Sequence, residues 1–153
     1  MHRQSRARLL AAAIAISAIA SSPATGFAQS VTGGSSGGVS GQGVSASTYG
    51  SGQQTNTPEG SSIGVAGGGD AVAVDGSAST RSDAKLNERR AMQRSVATAQ
   101  DDDERARSRT RTVVREGEVR SRTVSRYKQQ GEKPVREMTY SVTTPEGSTT
   151  RTK

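Results

Sequence analysis

The sequence predicts two unlike halves. A largely disordered Gly/Ser-rich N-terminal half precedes a small α+β C-terminal region with one helix and a marginal antiparallel β-meander. Three observations predict this. Residues 29–80 contain 14 Gly and no Lys or Arg. Residues 83–107 contain no Gly or Pro and are rich in Ala, Glu, Arg, Gln and Lys. From Arg105 to Arg111, Arg recurs at every second position.

The first segment, 1–28, reads as a secretory signal peptide. Arg3, Arg6 and Arg8 precede an apolar run from Leu9 to Ala20, and small residues lead to Gly26-Phe27-Ala28. That order of parts is what a signal peptidase processes. The mature chain is therefore expected to start near Gln29. A helical run of this length rises about 18 Å, short of a hydrocarbon core of roughly 30 Å, so no transmembrane anchor is expected. A periplasmic or secreted location follows.

The second segment, 29–80, has the composition of a flexible linker. From Gln29 to the end only 15 of 125 residues are Leu, Ile, Val or Phe, about 12%. Values below roughly 20% mark chains with little capacity to build a core. The stretch Gly67-Gly68-Gly69-Asp70-Ala71-Val72-Ala73-Val74-Asp75-Gly76 loosely resembles one turn of the Gly-rich calcium repeats of secreted bacterial proteins. Those repeats work by stacking, each turn supplying part of a cage. A single turn cannot close one, so the stretch is read as linker with a short strand at 71–74 and no metal.

The third segment, 81–107, is read as a charged helix. Thr80 with Asp83, or Ser82, supplies capping oxygens. Asp101 with Arg105, and Asp103 with Arg107, are spaced four apart with the acid first, which adds a few tenths of a kcal/mol per pair in a helix. The apolar face is thin: Leu86, Met92, Val96 and several Ala. The acidic run Asp101-Asp102-Asp103-Glu104 is read as neutralising the arginines that follow, because on a helix its oxygens diverge.

The fourth segment, 108–153, is read as a basic antiparallel meander. Arg107-Ser108-Arg109-Thr110 recurs as Arg120-Ser121-Arg122-Thr123, with Glu116-Gly117 between the copies as a two-residue turn. Folding there sets Val114 opposite Val119 and Thr110 opposite Thr123. Further strands are expected at 135–144 and 149–153.

The residue inventory excludes much chemistry. The sequence has no Cys and no Trp, and its single His is His2. Without that segment there is no thiolate or imidazole metal site, no disulfide and no Ser-His or Cys-His pair. Ser82 with Lys85, and Ser125 with Lys128, have a Ser-Lys spacing but none of the companion motifs such a catalyst needs. No catalytic residue, metal site or cofactor is expected, and the chain is read as not an enzyme.

The expected site is a basic face: Arg105, Arg107, Arg109, Arg111, Arg115, Arg120, Arg122, Arg126 and Lys128. Residues 81–153 carry 18 cationic and 11 acidic side chains, and 14 of the cations are Arg, whose planar fork suits phosphate and carboxylate. The expected function is a small exported binding protein that engages acidic polysaccharide, lipopolysaccharide phosphate or extracellular DNA. The alternative is a structural or matrix component of the cell envelope, with the Gly-rich half mediating association.

Overall fold

The computed structural model describes residues 29–58 and 60–153; the expected signal peptide, 1–28, lies outside them. Nine strands run in chain order: β1 Gln29–Ser40, β2 Val44–Thr57, β3 Gly60–Ala73, β4 Ser77–Asn87, β5 Arg90–Gln100, β6 Glu104–Arg115, β7 Glu118–Gln129, β8 Val135–Thr144 and β9 Gly147–Thr152. No helix occurs among the described residues. The strands form two antiparallel meanders, a three-stranded sheet β1-β2-β3 and a six-stranded sheet β4 to β9 in sequence order. The small sheet lies on the large one, with β1 over β7, β2 over β6 and β3 over β5.

This corrects the α+β expectation. The segment expected as a helix, 81–107, is most of β4, all of β5 and the start of β6. Good helix formers lost there because the segment also alternates in size. Ala91, Gln93, Ser95, Ala97 and Ala99 are buried on one face of β5, while Arg90 and Arg94 are exposed on the other. Sheet pairing on both sides of β5 outweighs a propensity difference of tenths of a kcal/mol per residue. The capping residues serve other ends: Asp83 is paired with Arg81 at 2.9 Å, and Ser82 Oγ donates to Gly67 O at 3.0 Å.

The expected disordered half is also corrected, since 29–80 holds all of the small sheet and enters β4. Its glycines are what let the sheets touch. A Cβ on Gly50 would lie 2.5 Å from Thr112 Oγ1 and 2.8 Å from Thr110 Cγ2. A Cβ on Gly52 would overlap Val114 Cγ2. Thr and Val on the large sheet thus press directly against small-sheet backbone.

The core between the sheets is layered along the strands. At one end Val39, Val44, Ala46, Ala97, Ala99, Ala106 and Tyr127 cluster. At the other, Val31, Ala91, Val114 and Val119 cluster, with Ile63 and Val65 packed against them. Between them lies a belt of buried hydroxyls. Its contacts run Thr112–Ser121 (2.8 Å), Ser121–Ser35 (2.7 Å), Ser35–Thr123 (2.9 Å) and Thr123–Thr110 (2.7 Å). They continue Thr110–Thr48 (2.8 Å), Thr48–Ser108 (2.7 Å) and Ser108–Ser125 (3.0 Å). Ser108 also donates to Gly37 O at 2.9 Å.

Each hydroxyl has one hydrogen to give and two lone pairs to receive with. Because Ser108 spends its hydrogen on a carbonyl, both neighbours must donate to it, and every earlier link follows. The only consistent order is Thr112 to Ser121 to Ser35 to Thr123 to Thr110 to Thr48 to Ser108 to the Gly37 carbonyl, with Ser125 donating into Ser108. Every hydrogen in the belt is then used. This is how a chain so poor in Leu, Ile and Phe holds two sheets together: directional bonds replace much of the missing hydrocarbon.

Candidate functional site

Strand alternation that turns Ser and Thr inward turns Arg outward. The hairpin β6–β7 pairs Val114 with Val119 and Thr110 with Thr123, as the Arg-Ser-Arg-Thr repeat suggests. Its turn has positive φ at both central residues, Glu116 (52°) and Gly117 (80°), the geometry that fits the twist of a tight hairpin.

All nine expected residues, Arg105, Arg107, Arg109, Arg111, Arg115, Arg120, Arg122, Arg126 and Lys128, are exposed on the outer face of β6 and β7. Neighbours along a strand repeat at about 6.8 Å, and opposed residues on adjacent strands at about 5 Å. The pairing sets Arg105 opposite Lys128, Arg107 opposite Arg126 and Arg111 opposite Arg122.

The flanking strands widen this face with residues that sequence reasoning missed. On β5, Arg94 lies opposite Arg111 and Arg90 opposite Arg115. On β8, Arg136 lies opposite Arg126. Two rows of arginines therefore cross the sheet, Arg94-Arg111-Arg122 and Arg107-Arg126-Arg136, with Arg109 between them. The missed signal was the two-residue alternation of β5, hidden by its helical composition. For Arg136 the strand was foreseen, but not which face it presents.

Arg94, Arg107, Arg109, Arg111, Arg122, Arg126 and Arg136, with Met92 and Val124, line a shallow groove of about 590 Å³. Arg94 has Asp83 opposite it on β4, where its charge adds to the Arg81 bond that holds this carboxyl below its usual value. The other six have no carboxylate partner among the described residues, and the ion pairs of Arg81, Arg115 and Arg120 lie outside the groove. Arg120 bonds Glu118 at 2.8 Å, which raises its pKa above the usual guanidinium value. Arg115 bonds Glu116 at 2.9 Å. Arg111 Nη2 donates to the Met92 sulfur at 3.4 Å. Like charges set opposite one another weaken a sheet by about 0.2–1 kcal/mol per pair. The outer face therefore opposes the fold that the inner face holds together.

The acidic run does not lie on this face as a counter-layer. It forms the turn between β5 and β6. Asp101 Oδ1 accepts the backbone N–H of Glu104 at 2.6 Å and of Asp103 at 3.0 Å. Glu104 is buried, accepting from Tyr127 Oη at 2.6 Å and from the Gly43 N–H at 3.0 Å. Burial first, then this carboxylate, pushes the Tyr127 phenol well above its ordinary range. Asp102 and Asp103 remain exposed at the rim. The stretch compared above with a calcium repeat forms the end of β3 and the crossing to β4, and no group of acids able to hold a metal occurs among the described residues.

No protein-family model, no curated protein sequence and no solved structure matches this chain. The arginine face offers a planar array of fixed positive charge, with no nucleophile, general base or metal ligand set among the groove residues.

Proposed function

We propose that this is a small exported binding protein whose arginine face engages polyanions of the envelope or exterior. Acidic polysaccharide, lipopolysaccharide phosphate and extracellular DNA are the ligand classes. One observation carries the reading: seven arginines share one groove, and six of them have no carboxylate partner among the described residues. An anionic ligand replaces mutual repulsion with charge-assisted hydrogen bonds. The reading involves no reaction.

The test is a salt titration of heparin and duplex DNA binding to the mature protein. For DNA, log K falls with log salt by about 0.9 per phosphate contact. Replacing Arg107, Arg111, Arg122 and Arg126 with Gln should flatten that slope by several contacts. Absence of binding at about 20 mM salt, where screening extends over roughly 20 Å, would sink the proposal.

A second reading, a structural component that self-associates, is favoured by the opposite side of the sandwich. The outer face of the small sheet carries only Asp70 as a charge among the described residues and exposes Tyr49 and Val72. Sedimentation of wild type and of a Tyr49→Ser, Val72→Thr variant separates the readings. Concentration-dependent assembly lost in the variant supports association through that face.

A further inference from the structure

The strand next to the arginines has a different chemistry. On the outer face of β8 stand Met138, Tyr140 and Val142, opposite Val124, Arg122 and Arg120 of β7. Met138 and Val142 are half-buried and Tyr140 is 38% exposed. The far side is cationic as well. Arg151 of β9 lies opposite Tyr140. Lys153 exchanges both backbone hydrogen bonds with Met138, at 2.8 and 2.9 Å, and so shares its face. Arg136 stands at the end of the strip, next in line on the same face. Apolar and aromatic side chains thus form a strip about 14 Å long, counted from Met138 to Val142 at 3.4 Å per residue. Longer cationic side chains flank it on both sides.

We propose that the ligand of this face is an anionic amphiphile. Its phosphate or sulfate group is held by Arg122 and Arg151, which flank Tyr140 on either side, and its hydrocarbon chain lies along Met138, Tyr140 and Val142. This rests on the polyanion reading and narrows it. A tailless polyanion needs only the arginines; the strip gives an attached chain somewhere to leave water. Single-stranded nucleic acid is a poorer fit, because base stacking needs repeated aromatic platforms and Tyr140 is the one aromatic on this face among the described residues. The Tyr140 hydroxyl has no hydrogen-bond partner among the described residues, which leaves it able to donate to a headgroup oxygen.

The experiment titrates the mature protein with decyl phosphate below its micellar concentration, with inorganic phosphate, with uncharged decyl maltoside and with heparin. Burial of only two methylene groups corresponds to roughly tenfold in affinity, so decyl phosphate should bind at least about tenfold more tightly than either partial ligand. The Met138→Gln, Val142→Thr variant should lose that preference while binding heparin like wild type. The conservative Val142→Thr change alone should lose part of it, and unfolding midpoints of both variants confirm that they are folded. Decyl phosphate binding no better than inorganic phosphate, while heparin still binds, overturns this inference and leaves the polyanion reading standing. Heparin failing to bind overturns both. Tighter binding of a dodecamer of deoxythymidine than of decyl phosphate, lost in Tyr140→Ser, overturns the amphiphile in favour of a stacked single strand.

Discussion

The two faces of β6 and β7 are built from alternate residues of one stretch of chain, yet they do opposite things. Inward, Ser108, Thr110, Thr112, Ser121, Thr123 and Ser125 are buried and hydrogen-bonded in one directed series. Outward, Arg107, Arg109, Arg111, Arg122 and Arg126 are exposed, set against one another and without acidic partners among the described residues. Both faces are polar, so hydropathy does not separate them. What separates them is reach: a short hydroxyl can be satisfied by a neighbour inside a thin core, whereas a guanidinium must stay in water or meet an anion.

That contrast can be broken from the inside first. Gly50→Val should cost most, about 3 kcal/mol or more, because the new side chain meets Thr110, Thr112 and Gln93 across the sheet interface; urea unfolding reads the loss. Tyr127→Phe should cost about 2 kcal/mol by removing a donor to buried Glu104. The same variant has a pH signature. The phenol is raised in the folded state, so its contribution is fully present below the ordinary tyrosine value of 10.0 and declines as pH rises beyond it. Wild type should lose stability as pH climbs above 10, and Tyr127→Phe should lose less over that window.

Thr110→Val should cost about 1 kcal/mol, since it strands the Thr123 hydrogen and removes the donor to Thr48. A Thr110→Val, Thr123→Val pair should cost less than the sum of the singles, which a double-mutant cycle measures. The outer face should respond with opposite sign. Arg111→Thr relieves two like-charge pairs, with Arg94 and Arg122, and should stabilise by about 0.5 kcal/mol at low salt. The gain should fade as salt rises, while heparin affinity falls. Destabilisation by Arg111→Thr would mean that the arginine stem holds the sheet by packing on Met92.

Part of this arrangement was legible in the residues. The hairpin register follows from the duplicated Arg-Ser-Arg-Thr element and the Glu116-Gly117 turn, and β8 spans the 135–144 stretch expected as a strand. The nine basic positions share a face because a strand repeats every second residue. What could not be read was the value of Gly, Ser and Ala as interior residues. Composition reads Gly33, Ser35, Gly37 and Gly50 as linker, although each faces a side chain of the large sheet. Their role exists only once Thr112, Thr123 and Thr143 stand opposite. β5 was misread for a related reason. Ala91, Ala97 and Ala99 favour a helix in isolation, but in a narrow gap between sheets they are buried because they are small.

The belt of hydroxyls has a calorimetric consequence. Exposing apolar surface raises the heat capacity of a protein on unfolding, and exposing polar surface lowers it. Opening this sandwich wets Ser35, Thr48, Thr110 and Thr123 together with its few valines and alanines. The heat-capacity increment per residue should therefore fall below the usual 12–15 cal/mol/K. A small increment flattens the dependence of stability on temperature, so this molecule should keep more of its folding free energy in the cold than a valine- and leucine-filled sandwich of the same size.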